Sequence, residues 1–357
     1  MRIAVIGSGI SGLVAASELA QAHDVVLFEA DDRLGGHTHT VEVADERGTI
    51  RIDTGFIVFN DWTYPNFIGW LDHLGVKSQP TTMGFSVRCH RCGLEYSGSS
   101  LDTLFSQRRN LVRPSFLRLV ADILRFNRWS RRGEESLPAE MTVRGFLQAE
   151  RYSHSFAEHY LLPMGAAIWS CPMATFEDFP IRFILEFYRN HGLLSVNHRP
   201  TWRTIVGGSR TYIDRLLTRF KGEVRIGCPV RGVMREGDTV RILHQHGGES
   251  FDEVVLACHS DQALALLDQP TETERDLLTS FPYGHNIAQL HTDQSTLPPA
   301  ESLVELELPA ARGCRSPAAG DLQHEHPPAA RRRVDLLRDA QRRSRGRLRE
   351  GAGAMGV

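Results

Sequence analysis

The pattern of apolar and polar positions changes its period twice within the first thirty residues. RIAVIG, residues 2–7, is a short apolar run rich in β-branched side chains, which is typical of a strand buried on both faces. LVAASELA, residues 13–20, carries apolar and small residues at helical spacing, and VVLFEA, residues 25–30, repeats the strand pattern. The pattern therefore predicts a strand–turn–helix–strand unit of about thirty residues, in the α/β class with a parallel sheet.

The turn of this unit carries three glycines at the spacing of a dinucleotide-binding motif. Gly7 permits a tight turn, Gly9 lets the backbone approach a pyrophosphate, and Gly12 lets the helix pack close to the strand. The helix N-terminus, which includes Ser11, offers free N–H groups and a partial positive charge to phosphates. The alternative is a glycine-rich turn without a ligand, but the strand, helix and second strand in order favour a nucleotide site.

Glu29 ends the second predicted strand, 22 residues after Gly7. A carboxylate at this position accepts hydrogen bonds from a ribose diol. An acid rather than an arginine argues against a 2′-phosphate and therefore against NADP. The unit alone leaves NAD and FAD as alternatives.

The rest of the chain shows weaker but readable patterns. They predict a strand and loop at residues 51–60, a helix ended by Gly75 at residues 63–75, and a β-hairpin at residues 84–98. They also predict a mostly helical insertion at residues 141–194 and a set of short strands at residues 223–258.

Composition narrows the classes of function. Hydrophobic residues make up 41% and charged residues 24%, as in a globular protein, and a net charge of -2 gives no electrostatic case for nucleic acid. The six cysteines are scattered, which fits a reducing compartment. The first strand begins at residue 2, and no apolar run reaches the length of a membrane span, so we expect a cytoplasmic protein.

A second glycine pair follows the acid. Residues 29–36, EADDRLGG, resemble the E-x-x-x-R-x-G-G extension of the flavin amine oxidase and carotenoid desaturase superfamily. The resemblance implies that Gly35 and Gly36 bring a second backbone segment against the diphosphate of FAD, and that Arg33 helps to neutralise it. NAD dehydrogenases generally lack this pair, so the expected cofactor is FAD. The alternative is an ordinary Gly-Gly loop.

The resemblance extends over roughly residues 1–298, to a group of predicted bacterial NAD/FAD-binding proteins within that superfamily. It is carried by AVIGSGISGLVAA, FEADDRLGGHTHTV, DTGFIVFN, GLEYSG, YLLPMGAAIWS, WRTIVGGSRTYIDRL and VVLACHSDQAL. It implies further cofactor contacts, namely Asp53, Thr54, Gly55 and Phe56 near the isoalloxazine, Val230 at the adenine, and Ala257 and Cys258 near the cofactor. A buried strand end is the alternative for residues 53–56.

The implied architecture is a Rossmann-like FAD-binding domain with an inserted, mostly helical and mixed-sheet substrate domain. We expect the FAD-binding domain to comprise residues 1–80 and 206–298, the substrate domain residues 81–205, and an aberrant, disordered tail residues 299–357.

The implied function is an FAD-dependent oxidoreductase that transfers hydride from a substrate C–H bond to flavin. Three hypotheses follow, in this order: a desaturase-like enzyme acting on an apolar lipid or isoprenoid, an amine oxidase, and a truncated fragment that binds a flavin or nucleotide without activity. The sequence names no catalytic base. His191 is the candidate acid or base, and a satisfied structural histidine is the alternative.

Two further features of the sequence each have a functional and a structural interpretation. Cys89-His90-Arg91-Cys92 lies at the predicted hairpin turn, but a structural zinc site takes four ligands and no second pair follows, so we interpret it as an incidental turn and expect no metal. Residues 114–132 predict a helix whose arginines gather at its C-terminal end. It is either a core helix, which we favour, or a peripheral contact with the inner membrane surface. Its apolar residues are Phe116, Leu119, Val120, Ile123 and Leu124.

Residues 309–357 are rich in Ala, Arg, Gly and Pro. One allowed coding, read one base later, turns ESLVELEL (301–308) into Arg-Ala-Trp-Ser-Ser-Trp-Asn-Tyr. In the same frame GDLQHEHPP (320–328) becomes Val-Thr-Tyr-Asn-Met-Asn-Ile-Leu, and both look like the continuation of the proteins that the chain resembles. We hypothesise a frameshift near residues 299–301, which would impair FAD binding. Sequencing the gene in independent clones tests this, and an unambiguous open frame through the region refutes it.

Overall fold

The computed structural model describes residues 1–45, 48–89, 91–98, 100–130, 137–195, 199–293 and 355–356. The strands are β1 Arg2–Ile6, β2 Asp24–Phe28, β3 Thr40–Asp45, β4 Gly48–Asp53, β5 Phe59–Asn60, β6 Ser78–Pro80, β7 Ser86–Cys89, β8 Leu94–Ser97, β9 Trp202–Ile205, β10 Glu223–Arg225, β11 Val230–Glu236, β12 Thr239–His244, β13 Gly247–Phe251, β14 Glu253–Leu256, β15 Ile287–Ala288 and β16 Met355–Gly356.

The α-helices are α1 Ile10–Leu19, α2 Pro65–Leu74, α3 Leu101–Leu104, α4 Pro114–Trp129, α5 Val143–Ala149, α6 His154–Phe156, α7 Leu162–Ile168, α8 Met173–Phe176, α9 Ile181–Asn190, α10 Arg210–Leu217, α11 Ser260–Leu266 and α12 Glu272–Thr279. Arg108–Val112 forms a 3₁₀ turn, and Ala157–Leu161 forms a π-helical turn between α6 and α7.

A parallel four-stranded sheet holds the predicted nucleotide-binding unit. Its strand order is β10-β2-β1-β14, and every neighbouring pair in it is parallel. Strand β1 is central, and Ile6 pairs with Phe28 on one side and with Leu256 on the other. The predicted strand–turn–helix–strand unit and its parallel sheet are confirmed.

The two faces of this sheet pack into different cores. Val5 and Leu27 point towards α1, α2 and α10, while the alternate residues Ala4, Val26 and Phe28 pack against the antiparallel sheet β11-β12-β13. Because both faces of the sheet are covered, β1 and β2 do not alternate apolar with polar residues, and the sequence of each is a continuous apolar run.

A third core lies in the inserted region. It joins the β7–β8 hairpin to helices α4–α9 and includes Phe116, Phe146, Phe156 and Tyr188, all at most 1% exposed. The α/β fold with a mostly helical insertion is therefore confirmed. Other short antiparallel pairings are β3–β4 and β5-β9-β6. The predicted domain boundaries stay predictions.

Helix α2 shows how local sequence sets the ends of an element. Pro65 occupies the first turn, where its missing N–H has no intrahelical partner to lose. Gly75 follows the last residue with φ +68°, and its N–H donates to Asp72 O and Leu71 O. This is the predicted glycine C-cap, because a left-handed backbone is easiest for glycine.

Helix α4 buries most of its predicted apolar face in the core of the insertion. Phe116 and Leu119 are buried, Val120 and Ile123 are partly buried against the same core, and Leu124 is 49% exposed. This packing supports the core interpretation. Among the described residues, no helix combines the length and the apolar character that crossing a bilayer requires.

The predictions for the tail fall largely outside the described residues. The exception is β16, which pairs antiparallel with β15. The sequence pattern did not predict a strand at this pair of residues. A two-residue strand is too short to show any alternation in the sequence, so the pattern gave no signal.

Candidate functional site

The first glycine turn leaves the start of α1 open. Gly7 has φ +99°, and its N–H donates to Phe28 O at 2.9 Å. A Cβ on Gly12 would lie 1.8 Å from Gly7 O, so the helix and the turn touch through backbone atoms. Gly9 is the N-cap residue, and no side chain caps the helix there. A Cβ built on Gly9 meets nothing within 4 Å.

The second glycine pair lies directly against the first turn. Gly35 and Gly36 have φ +118° and +56°, and a Cβ on Gly36 would lie 3.2 Å from Gly9 Cα. The Gly35 N–H donates to Ser8 Oγ at 3.0 Å. Two glycine segments that are distant in the chain therefore meet above the uncapped helix N-terminus, where backbone N–H groups favour an anion.

Glu29 holds these two segments together. Its Oε2 accepts hydrogen bonds from the Ser8 N–H at 2.9 Å and from the Ser8 hydroxyl, and its Oε1 accepts the Asp31 N–H at 2.8 Å. Ser8 is fully buried. A carboxylate has about four acceptor sites, so these three bonds leave capacity for a ribose hydroxyl. That ribose contact stays a prediction.

Ser8 was missed by the sequence analysis. It bridges Glu29 and Gly35, and so connects the end of β2 with both glycine segments. The available signal was a serine between two glycines in a turn that lies beside a buried strand, where a polar side chain needs partners.

Arg33 holds the loop that follows the second glycine pair. Its guanidinium donates to Gly36 O at 2.9 Å and to Thr38 O at 3.2 Å, and it lies 3.8 Å from the Asp31 carboxylate. Its side chain is 28% exposed. These contacts fix Gly36 against Gly9, and the predicted role of Arg33 at a diphosphate stays a prediction.

Residues 53–56 run beside this loop. The Phe56 N–H donates to His37 O at 2.9 Å, and the Thr54 N–H donates to His39 O at 2.9 Å. A Cβ on Gly55 would lie 2.0 Å from His37 O, so a side chain at this position collides with the loop. Phe56 packs edge-to-face on Phe67, with ring centroids 5.3 Å apart.

Asp53 caps helix α10. Its carboxylate accepts the Ser209 N–H at 2.9 Å, the Ser209 hydroxyl at 2.8 Å and the Thr40 hydroxyl at 2.5 Å. A carboxylate at a helix N-terminus is stabilised by the helix dipole. The geometry gives Asp53 a structural role, and its predicted place beside an isoalloxazine stays a prediction.

The other residues predicted to contact the cofactor lie around the first glycine turn or in the sheets beside it. The Ala257 N–H donates to Ile6 O at 2.8 Å, and a Cβ on Gly7 would lie 2.6 Å from Ala257 O. Burial raises the pKa of the Cys258 thiol, which keeps it protonated at neutral pH. Val230 opens β11 and packs in the core beneath Phe28, and Ser11 is exposed in the first turn of α1.

Three aromatic side chains beside the glycine segments were not predicted. His37 and His259 have ring centroids 5.8 Å apart, and His259 stacks on Tyr283 at 4.3 Å with an interplanar angle of 8°. Each lies in a different segment, so only the fold brings them together. The Nδ1 of His39 lies 2.6 Å from the Thr54 hydroxyl oxygen, and burial lowers the pKa of His39, which keeps it neutral at pH 7.

His191 lies in an aromatic stack. Its ring is 3.9 Å from that of Phe187 and 6.3 Å from that of Trp202, both near parallel. Its Nδ1 lies 2.9 Å from Phe187 O. These contacts support the structural alternative for His191. Trp169 packs with Phe176 and Phe187 in the helical core.

The hairpin turn with two cysteines has a neighbour that the sequence could not show. Cys89 ends β7, Cys92 lies in the turn before β8, and His159 approaches them from the π-helical turn. The ligand atoms of these three residues lie within 4.8 Å of one another. Sequence analysis missed His159 because it lies 67 residues beyond Cys92.

Comparison with known proteins gives one family and a set of distant relatives. A family model described as flavin containing amine oxidoreductase matches residues 10–300. The provisionally named flavin-containing monoamine oxidase AofH of Mycobacterium tuberculosis is 24% identical over 303 residues, which are 79% of this chain and 62% of that protein. The L-amino-acid oxidase of Mus musculus is 24% identical over 77% of this chain and 44% of its own length. The chain thus spans less than two thirds of these relatives.

A short stretch matches more strongly. Over 37 residues the chain is 65% identical to the tryptophan 2-monooxygenase of Pantoea agglomerans pv. gypsophilae. This stretch covers 10% of this chain and 7% of that enzyme. Among solved structures, an engineered putrescine oxidase superposes with a TM-score of 0.59 at 18% identity, over 80% of this chain and 66% of its own. An oxidoreductase from Methanosarcina mazei gives a TM-score of 0.56 at 14% identity, over 80% and 67%. These likenesses show the fold.

Proposed function

Because the chain belongs to the family of flavin-containing amine oxidoreductases, we propose that it binds FAD and oxidises a substrate C–H bond with it. One observation supports the cofactor: Gly36 lies so close to Gly9 that a Cβ built on Gly36 would be 3.2 Å from Gly9 Cα, beside an open and uncapped helix N-terminus. A dinucleotide diphosphate needs close backbone approach and N–H donors, and this site offers both.

The chain's own residues would hold the cofactor by backbone contacts. The first turn of α1, around Ile10 and Ser11, offers N–H groups to phosphate oxygens, and the second glycine pair offers a surface without side chains. Glu29 keeps both segments in place and has acceptor capacity for a ribose. A bound flavin supplies a two-electron acceptor for hydride from a substrate C–H bond.

We favour an amine or amino acid as the donor. The support is the named activity of the relatives, which are a monoamine oxidase, a tryptophan monooxygenase and an L-amino-acid oxidase. The half-buried aromatic side chains of Phe56 and Tyr64 pack on the buried Phe59 ring, in and after the segment that runs beside the glycine loop. Aromatic faces suit an amine, because they attract a cationic or partly positive nitrogen.

The second candidate donor is an apolar lipid or isoprenoid. From the family resemblance alone, an enzyme acting on such a donor was the first hypothesis. Its support is the exposed apolar surface around α4, where Leu111, Val112, Leu117 and Leu124 are 44–81% exposed. Basic side chains accompany them, which is the composition of a peripheral contact with an anionic membrane. That contact would bring an enzyme to a substrate dissolved in lipid.

The visible absorption spectrum of the purified chain, followed by release and identification of the bound cofactor, tests the cofactor proposal. We expect flavin bands and free FAD. A chain that stays colourless after incubation with FAD refutes FAD binding, and retention of NAD instead would show that the second glycine pair was misinterpreted.

An anaerobic titration of the flavin-loaded chain tests the donor. We expect a panel of amines and amino acids to bleach the flavin bands, and a matched panel of lipids and isoprenoids in detergent to leave them unchanged. Bleaching by the second panel only would favour the apolar donor. Flavin bands that neither panel bleaches would favour the third hypothesis, a fragment that binds flavin without activity.

A further inference from the structure

Three metal-binding side chains converge in the inserted region. Cys89 ends β7, Cys92 lies in the following turn, and His159 lies in the π-helical turn. All three ligand atoms lie within 4.8 Å of one another, and Cys92 Sγ is 3.7 Å from His159 Nε2. From this cluster we propose that Cys89, Cys92 and His159 bind one Zn²⁺ ion, and that the ion ties the hairpin to the helical core.

The distances suit a tetrahedral ion. Zinc–sulfur bonds of about 2.3 Å and zinc–nitrogen bonds of about 2.0–2.1 Å place neighbouring ligand atoms of a tetrahedral site about 3.6–3.8 Å apart. The Cys92–His159 separation already has this value. Every separation in the cluster is at most 4.8 Å, so small side-chain rotations bring the three ligand atoms to tetrahedral spacing.

The backbone around the site is held by contacts of its own. The Gly93 N–H donates to Cys89 O at 2.8 Å, and Gly93 has φ +65°, which closes the turn. The Tyr96 hydroxyl donates to His159 O at 2.5 Å, and the Arg91 guanidinium lies 3.7 Å from the Glu158 carboxylate. The hairpin and the π-helical turn are thus already joined without an ion, which lowers the entropy lost on binding. Such π-helical turns occur frequently at functional sites.

The chemistry of the donors selects the class of ion. Two sulfurs and one imidazole nitrogen favour zinc over the hard ions calcium and magnesium, which take oxygen ligands.

A cavity lies beside the open side of the site. It has a volume of about 400 Å³, and Cys92 and His159 line it together with Arg113, Ser153 and His154. Three protein ligands leave one tetrahedral position, which a water or a small anion from this cavity would take. The arginine supplies positive charge that would stabilise an anionic fourth ligand.

Metal titration of the full chain, reduced and stripped with a chelator, tests the proposal without any flavin or activity. We expect one Zn²⁺ per chain by competition with a chromogenic chelator. Co²⁺ in its place should give sulfur-to-metal charge-transfer absorption, together with the intense visible bands of a tetrahedral ion. Zinc should also raise the thermal midpoint, because it binds the folded chain in preference to the unfolded chain.

Two variants locate the ion. Cys92→Ser changes an exposed turn residue and should fold normally, and His159→Gln keeps the size of the side chain. Each should weaken zinc binding more than tenfold and remove the zinc-dependent rise in the thermal midpoint. The matched control is Cys171→Ser, which removes a partly buried thiol outside the cluster and should bind like the wild type.

Either of two results overturns the proposal. One is a reduced wild-type chain that takes up no zinc, or takes it up equally after Cys92→Ser. The other is a Cys89–Cys92 disulfide that forms on mild oxidation at the same rate with and without zinc, as shown by thiol counting. That result would assign the pair to redox chemistry.

Discussion

Substituting Gly9 by valine should abolish FAD binding while leaving the apo fold intact. Gly9 has φ -60° and ψ 176°, an extended conformation that any residue adopts, and a Cβ there meets no atom within 4 Å. The side chain would instead occupy the space in which a diphosphate approaches the backbone. We expect at least about a hundredfold loss of FAD affinity, or about 2.8 kcal/mol, with alanine showing a smaller loss. Titration of the apo chain with FAD, followed by flavin fluorescence, measures it.

Two other glycines serve as controls. Gly69→Ala lies in α2, also with no atom within 4 Å of the new Cβ, and should bind FAD like the wild type. Gly12→Ala places a Cβ 1.8 Å from Gly7 O and should lower the thermal midpoint of the apo chain, which Gly9→Val should not. Wild-type FAD affinity in Gly9→Val would place the cofactor elsewhere than the N-terminus of α1.

Substituting Glu249 by glutamine should be among the most destabilising single changes at a polar position. Its carboxylate accepts hydrogen bonds from Arg225 and from Arg2, the latter at 2.7 Å, and it lies 3.0 Å from His244 Nε2. These residues lie on β10, β1 and β12, so one carboxylate joins the parallel sheet to the antiparallel one. The hydrogen bonds from Arg225 and Arg2 lower the pKa of Glu249 from 4.5 to about 2.

The lowered pKa fixes the size and the pH dependence of the effect. A carboxylate whose pKa is lower in the folded chain stabilises it above its ordinary pKa, and this stability is lost as the pH falls from 4.5 towards 2. The shift corresponds to about 3 kcal/mol, which we reduce to about 2 kcal/mol because the Glu249 side chain is 28% exposed. We therefore expect Glu249→Gln to lower the thermal midpoint at pH 7 by about 3 °C.

Thermal melts of both proteins between pH 7 and pH 2 check this expectation, and the difference should shrink towards zero at the acid end. Glu42→Gln is the matched control, because Glu42 pairs with Arg51 where both side chains are more than half exposed. It should change the midpoint little. An equal midpoint for wild type and Glu249→Gln at pH 7, or a deficit that persists unchanged at pH 2, would contradict the prediction.

Features that depend on neighbours in the chain were predictable from the sequence. The strands at residues 2–6 and 24–28, the helix between them and the hairpin at residues 86–97 follow from periodicity and turn residues. The glycine C-cap of α2 and the positive φ of Gly7 follow from the conformations that only glycine adopts easily. The resemblance to flavin amine oxidases rested on such local motifs, and the family match confirms it.

Which distant groups meet was decided by the tertiary structure. From the sequence, the Glu29 carboxylate was expected to bind a ribose, but the fold also places Ser8 against it. The fold likewise brings the Asp53 carboxylate to Ser209, 156 residues away. His159 joins Cys89 and Cys92 only because the hairpin packs on the π-helical turn.

The sequence by itself thus determined the type of each long element, the glycine turns and the family. Propensity and periodicity act over a few residues, within one turn of helix or one strand. A side chain's hydrogen-bond partner depends instead on how buried apolar faces pack, and that packing sums many weak contacts between segments far apart in the chain. For this reason the two glycine segments could be predicted from the sequence. The groups that hold these segments in place, and the cluster of two cysteines and a histidine, could be identified only in the folded structure.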